Sequence, residues 1–203
     1  MTVKLQAGIE RAMASGETKR LLLHCCCAPC ASYVLEYLSP FFSITMLFYN
    51  PNIWPREEYD KRAGELQKLL IPHQDIADLI VSDYDTAAFE AAAMPYRDEP
   101  EGGARCRRCF ELRLAETASY AKSGGFSYFA TTLTVSPHKD ASAINDIGGA
   151  MAERCGATYL SSDFKKRDGF KRSIELSKKY GLYRQSYCGC SFTQNSENNM
   201  QRM

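Results

Sequence analysis

The stretch Leu21-Leu22-Leu23-His24-Cys25-Cys26-Cys27-Ala28-Pro29-Cys30 decides how the chain is read. A short apolar run behind Lys19-Arg20 has the character of a central strand buried on both faces, and it stops at three adjacent cysteines. After Pro29, Cys30, Tyr33, Val34, Tyr37 and Leu38 recur at helical spacing. The thiols therefore fall at a strand-to-helix junction. In an open parallel sheet such junctions lie at the carboxyl edge, where ligands bind and where the free amide donors of the next helix favour negative charge. Thiolates, or a sulfur-rich anionic cluster, suit that place.

Outward from this junction, strands alternate with helices. Residues 43–49 predict a second strand, halted by Asn50-Pro51-Asn52-Ile53-Trp54-Pro55, whose two prolines force an extended loop. Pro55 then opens a helix that reaches Leu70. Residues 76–82 predict a third strand, 85–94 an Ala-rich helix and 95–104 a polar linker. Beyond it come a helix over 106–121, a buried strand over 128–133 and a helix over 144–154. A short strand over 157–160 and a helix over 169–180 complete the pattern. The alternation predicts a Rossmann-like α/β fold, a parallel sheet flanked by helices with right-handed crossovers.

A chain of 203 residues suits one well-buried α/β domain over 1–203, with 1–19 as an N-terminal extension and 194–203 as a flexible tail. No apolar run approaches the roughly 20 residues of a membrane span, and residues 1–16 look amphipathic rather than like a secretory signal. The expected setting is cytoplasmic, with no membrane partner. Nine cysteines there point to metal binding or redox chemistry rather than a disulfide framework. A net charge of +1 does not speak for or against nucleic acid, because local patches decide.

Three groups of residues carry chemistry. Cys106-Arg107-Arg108-Cys109 sets two thiols about one helical turn apart, the spacing that holds one edge of a metal or cluster, and Cys26-Cys27 offers the other edge. A zinc site or buried free thiols is the alternative, although surplus thiols suit iron better. Cys188-Gly189-Cys190 can close a small, strained disulfide of the labile kind, or else contribute metal ligands or inert thiols. Positive charge collects at Lys165, Lys166, Arg167, Lys171, Arg172, Lys178, Lys179 and Arg184, interleaved with Phe164, Phe170, Tyr180, Tyr183 and Tyr187. That mixture suits phosphate neutralisation with base stacking, with a solvated face as the default for each residue. His24 reads as a core histidine, His73 as a surface residue, His138 as part of a polar loop with Lys139, and Cys155 as packing.

At these residues the chain resembles the QueH-type epoxyqueuosine reductases. The matching blocks are HCCCAPC at 24–30, FYNPNIWPREEYDKR at 48–62, RCRRC at 105–109, TTLTVSPHKD at 131–140, and DFKKRDGF through YRQSYCGC over 163–190. Cys25 is an extra cysteine beside the CCxxC core, and Trp54 stands where the resemblance leads one to expect His. The resemblance implies a HUP-type sheet with an iron–sulfur site at its carboxyl edge. It implies a four-iron, four-sulfur cluster on Cys26, Cys27, Cys106 and Cys109, with Cys30 an exposed spare thiol for an additional iron or for substrate. Cys188 and Cys190 would be a redox-active pair reset by an external electron donor. The substrate would be tRNA carrying epoxyqueuosine at its wobble position. Tyr187, His138, Lys139, Lys165, Lys166 and Arg167 would meet it. The rival readings are a non-catalytic zinc- or thiol-stabilised RNA-binding module and a nucleotide-activating sulfur transferase. The latter would want a Ser/Gly-rich phosphate loop where the cysteines stand.

Overall fold

The structure is a computed structural model and describes residues 3–166 and 168–192. Its centre is a parallel sheet of β1 (Lys19–His24), β2 (Phe42–Phe48), β3 (Ala77–Val81) and β4 (Tyr128–Thr131), in the order β3-β2-β1-β4. The helices are α1 (Val3–Met13), α2 (Ala28–Leu38), α3 (Arg56–Leu70), α4 (Ala87–Ala93), α5 (Ala104–Ser123), α6 (Ala141–Cys155) and α7 (Gly169–Lys179).

β1 is central, pairing Leu23 with Met46 on one side and with Ala130 on the other. Its leucines are wholly buried because both faces of the sheet are covered. Alternation sends Leu21 and Leu23 to one core, with Ile44, Met46 and residues of α1, α2 and α3. It sends Leu22 to the other, with Leu47, Phe129 and residues of α5 and α6. Each buried leucine contributes roughly 1.5–3 kcal/mol. Leu5, Ile9 and Ala12 of α1 belong to the first core, so residues 3–13 pack as part of the body. Cys155 packs beside the second core.

Two expectations need correction. Residues 157–160 form no strand: one isolated bridge joins Tyr159 to Phe129. The fourth strand ends at Thr131, where a short 3-10 turn, Thr132–Val135, begins as the Thr131 hydroxyl accepts the Leu133 N–H. The proposed tail 194–203 and Arg167 lie outside the described residues.

The strand order places a switch point between β1 and β4, since β1 is followed on one side by β2 and on the other by β4. Ligands of open α/β sheets bind outside the carboxyl ends of the strands at such a point. Cys25–Cys27 follow β1 there, and the Thr132–Lys139 segment follows β4.

Candidate functional site

Past His24 the chain continues strand-like for one more hydrogen bond, Cys25 N–H to the Leu47 carbonyl at 2.8 Å. Cys25 is buried, and its thiol faces back to the Leu23 carbonyl at 3.3 Å. Burial pushes that thiol well above its ordinary pKa, so this extra cysteine behaves as core. Cys27, extended at φ −169, precedes α2, and no side chain caps the helix. Cys26, Cys27 and Cys30 then present sulfurs that all lie within 4.8 Å of one another. Cys30 is accordingly not the exposed thiol expected from sequence: the first turn of α2 aims it at its two neighbours.

Cys26 is the most acidic thiol of this triad. The thiols of Cys27 and Cys30 donate to it and hold its pKa well below the ordinary value, against burial and with help from Lys139 and Arg113. The Thr132 hydroxyl donates to the same sulfur at 3.4 Å, and the Cys26 N–H donates to the Thr132 oxygen at 3.1 Å. Cys27 is pushed up to about 11, chiefly by the Cys26 bond, and Cys30 rises for the same reason. The Cys26–Cys27 sulfur separation of 3.8 Å equals the edge of a tetrahedron of thiolates around one ion, about 3.8 Å for metal–sulfur bonds near 2.3 Å. The donor set thus fits a thiolate-bound metal.

The triad opens on a cavity of about 590 Å³, lined also by Asn50, Asn52, Arg62, Lys139, Arg184 and Tyr187. A smaller cavity of about 160 Å³ adjoins it, lined by Cys106, Cys109, Cys188 and Cys190. Arg113, His138, Lys139 and Cys188 border both. The structure therefore gathers every cysteine singled out from sequence around two adjoining spaces, the triad on one and the CxxC and CxC thiols on the other. Cys106 sits in the first turn of α5, where its sulfur accepts the Gly102 N–H at 3.2 Å, and Cys109 lies one turn on, its pKa pushed up to about 12 by burial. Burial works against the Lys139 ammonium, but Cys188, Cys26 and Cys30 outweigh it and raise its pKa.

The CxC turn is held from outside. Arg62, buried beside Glu58 at 2.7 Å, donates to the Cys188 carbonyl at 2.9 Å and the Tyr187 carbonyl at 3.4 Å. Gly189 has φ +91, and a Cβ there would stand 2.9 Å from the Arg62 guanidinium. The Trp54 N–H binds the Gly189 carbonyl at 2.9 Å, and Ile53 bridges to Cys190. Behind the triad, His24 bonds Thr131 through Nδ1 at 2.9 Å, while Nε2 lies 3.3 Å from Arg113 Nε. Burial first, and Arg113 second, lower the His24 pKa to about 3, so it is a neutral core histidine, as its position suggested. Its Nε2 accepts the guanidinium proton, and the Tyr49 carbonyl at 3.1 Å is a neighbour of that nitrogen.

Other residues fall elsewhere. His73 is half-buried, bonded to the Leu69 carbonyl at 2.7 Å and packed edge-on against Tyr180, rather than at the surface. Lys165 and Lys166 both reach Asp163, at 3.6 and 3.7 Å, and Arg172 pairs with Glu36 and Glu175. None of these lines the larger cavity, whose cations are Arg62, Arg113, Lys139 and Arg184. Sequence reasoning missed Asn50, Arg62, Arg113, Thr132 and Gln185, which bonds Cys27. For Arg113 the available signal was its position four residues after Cys109, on the same helical face.

Fold and site together define a cysteine-rich α/β protein that gathers thiols and cationic side chains at the carboxyl edge of a parallel sheet. Residues 21–196 match the family model described as epoxyqueuosine reductase QueH. The chain is 43% identical over 176 residues to the epoxyqueuosine reductase QueH of Streptococcus pyogenes serotype M1, covering 85% of this chain and 69% of that one. It is 40% identical to that of Staphylococcus epidermidis (87% and 77% covered) and 35% identical to that of Thermotoga maritima (85% and 89% covered). The chain belongs to the epoxyqueuosine reductase QueH family.

Proposed function

We propose that the chain reduces epoxyqueuosine to queuosine at the wobble position of tRNA. The observation that carries this reading is the triad of clustered sulfurs opening on a cavity large enough for a modified base, with Lys139 and Cys188 on its wall. Removing the epoxide oxygen to leave an alkene consumes two electrons and two protons and releases water. A four-iron, four-sulfur cluster on Cys26, Cys27, Cys106 and Cys109, with Cys30 holding an additional iron, would supply single-electron transfer and a Lewis acid. The protein's own contribution is position and charge. Lys139, a cation between the two cavities, favours negative charge developing on the oxygen and can give it a proton, with Tyr187 or His138 as the other candidate donors. Oxidation of Cys188 and Cys190 to a disulfide would release two electrons and two protons, and an external electron donor would reset them.

The sheet is then of Rossmann-like, HUP type, in a single domain, and the setting cytoplasmic. Phosphates of the anticodon loop would meet Arg184, which lines the larger cavity, together with Lys165 and Lys166, and the sequence adds Arg167 to that set, with the wobble base splayed inward. The test is anaerobic purification with iron and sulfide analysis, followed by turnover of epoxyqueuosine-containing tRNA with a low-potential reductant. A brown protein with a broad visible band, and loss of the epoxide, are expected. Cys188→Ser should keep the band and lose turnover. A colourless protein with stoichiometric zinc that binds tRNA without altering it would establish the RNA-binding module instead.

A further inference from the structure

Arg113 is 2% exposed, and among the described residues no carboxylate lies within ion-pair distance of it. Of the other two buried arginines one has a carboxylate partner and one, like Arg113, has none. Arg62 is paired with Glu58, and Arg105 donates to the carbonyls of Arg97 and Glu99 at 2.8 and 2.6 Å. Arg113 instead spends Nε on the neutral ring of His24 and one terminal nitrogen on the Asn50 side-chain oxygen; the other terminal nitrogen reaches Cys109 Sγ at 3.8 Å. Asn50 is itself fixed by donating to the Cys25 carbonyl at 2.9 Å. A guanidinium is always charged, and a buried charge without a counter-charge is strongly unfavourable. Two kinds of group can carry negative charge in the cavities it borders, the Glu101 carboxylate and the thiols, and of these the guanidinium reaches the Cys109 sulfur directly.

We propose that Arg113 is the fixed counter-charge of the thiolate site, a positioning residue that raises the reduction potential of the group held by the cysteines. Three bonds from the guanidinium hold its charge beside Cys109, where the Cys26 sulfur also feels it. Reduction adds negative charge to a thiolate-bound group. A cation locked beside the sulfurs favours the reduced form, and replacing it by a neutral side chain disfavours that form.

This inference rests on the iron–sulfur reading, and the experiment separates the two. Wild type, Arg113→Gln and Arg113→Lys are purified anaerobically, and iron per chain and the midpoint potential of the bound group are measured by redox titration followed optically. Gln keeps hydrogen-bonding capacity without charge; Lys keeps charge without the planar fork. The expected result is a midpoint shifted to more negative potential in Arg113→Gln and near the wild-type value in Arg113→Lys. If Arg113→Gln holds no iron, retention of iron by Arg113→Lys supports the charge role, and equal loss in both overturns it. Full iron with an unchanged midpoint in Arg113→Gln also overturns it. A wild type without iron and sulfide refutes the iron–sulfur reading itself.

Discussion

Replacing Arg62 by Met removes the cation from an ion pair whose side chains are 3% and 9% exposed. Glu58 would be left buried, with the Tyr183 hydroxyl at 3.4 and 3.5 Å and the Tyr187 hydroxyl as its neutral neighbours. Breaking one side of a buried pair costs about 3–5 kcal/mol, a large share of the roughly 5–15 kcal/mol that stabilises a domain. The same change frees the carbonyls of Tyr187 and Cys188, so the CxC turn loses its grip on α3. The assay is equilibrium urea unfolding of the reduced protein without oxygen, beside the alkylation rate of Cys188. Arg62→Met should lose about 3–5 kcal/mol and alkylate faster at Cys188. The double variant Glu58→Leu/Arg62→Met should regain at least about 1 kcal/mol, because no charge is then left unpaired. A loss below about 1 kcal/mol, or no recovery in the double variant, refutes the claim that this pair anchors the turn.

Cys109→Ala should abolish iron incorporation, whereas Cys155→Ala, packed beside the second core, should leave iron unchanged; wild-type iron in the former overturns the ligand assignment. Changing Lys165, Lys166 and Arg167 to Ala should flatten the salt dependence of tRNA binding, by about 0.7 in the log–log slope for each phosphate no longer neutralised, and equal slopes would make that face merely solvated. His24 titrates near 3 in the folded state and near 6.5 when unfolded, so between those values the unfolded chain holds a proton that the native one lacks. Stability should therefore fall by about 1.4 kcal/mol per pH unit from this group as pH drops below 6.5. Urea midpoints at several pH values should show a slope about one proton smaller in His24→Gln, and an unchanged slope would place the titration elsewhere.

The β1–thiol junction was legible because three local signals coincide: an apolar run too short for a helix, a sudden run of cysteines, and Pro29 opening α2. The CxxC of α5 was legible for a similar reason, since a one-turn spacing is fixed by the helix itself. What escaped the sequence is what depends on distant residues. Arg62 meets Cys188 across 126 positions, and Arg172 is neutralised by Glu36 across 136, so a patch that reads as free charge is partly paired. Residues 157–160 have strand-like composition, yet their pairing stops at one bridge, the Thr158 carbonyl and the Leu160 N–H both bonding Phe129. Arg113 reads as one cation on a long helix with many charges; its meaning comes from β1 and the Asn50 loop closing over it.

The thiols are supported in two different ways. Cys26, Cys27 and Cys30 ride on the end of a doubly buried strand and the first turn of a helix, where their spacing is set by backbone that the whole core stabilises. Cys188 and Cys190 ride on a segment between α7 and the end of the described chain, tied down by Arg62, Trp54 and Ile53. The same segment is fastened further by Leu182 in the first core, by the Tyr183 N–H on Glu65, by Arg184 on Ser173, and by Cys190 and Phe192 packed against Phe89. The two supports meet at Cys188, which lies on the walls of both cavities.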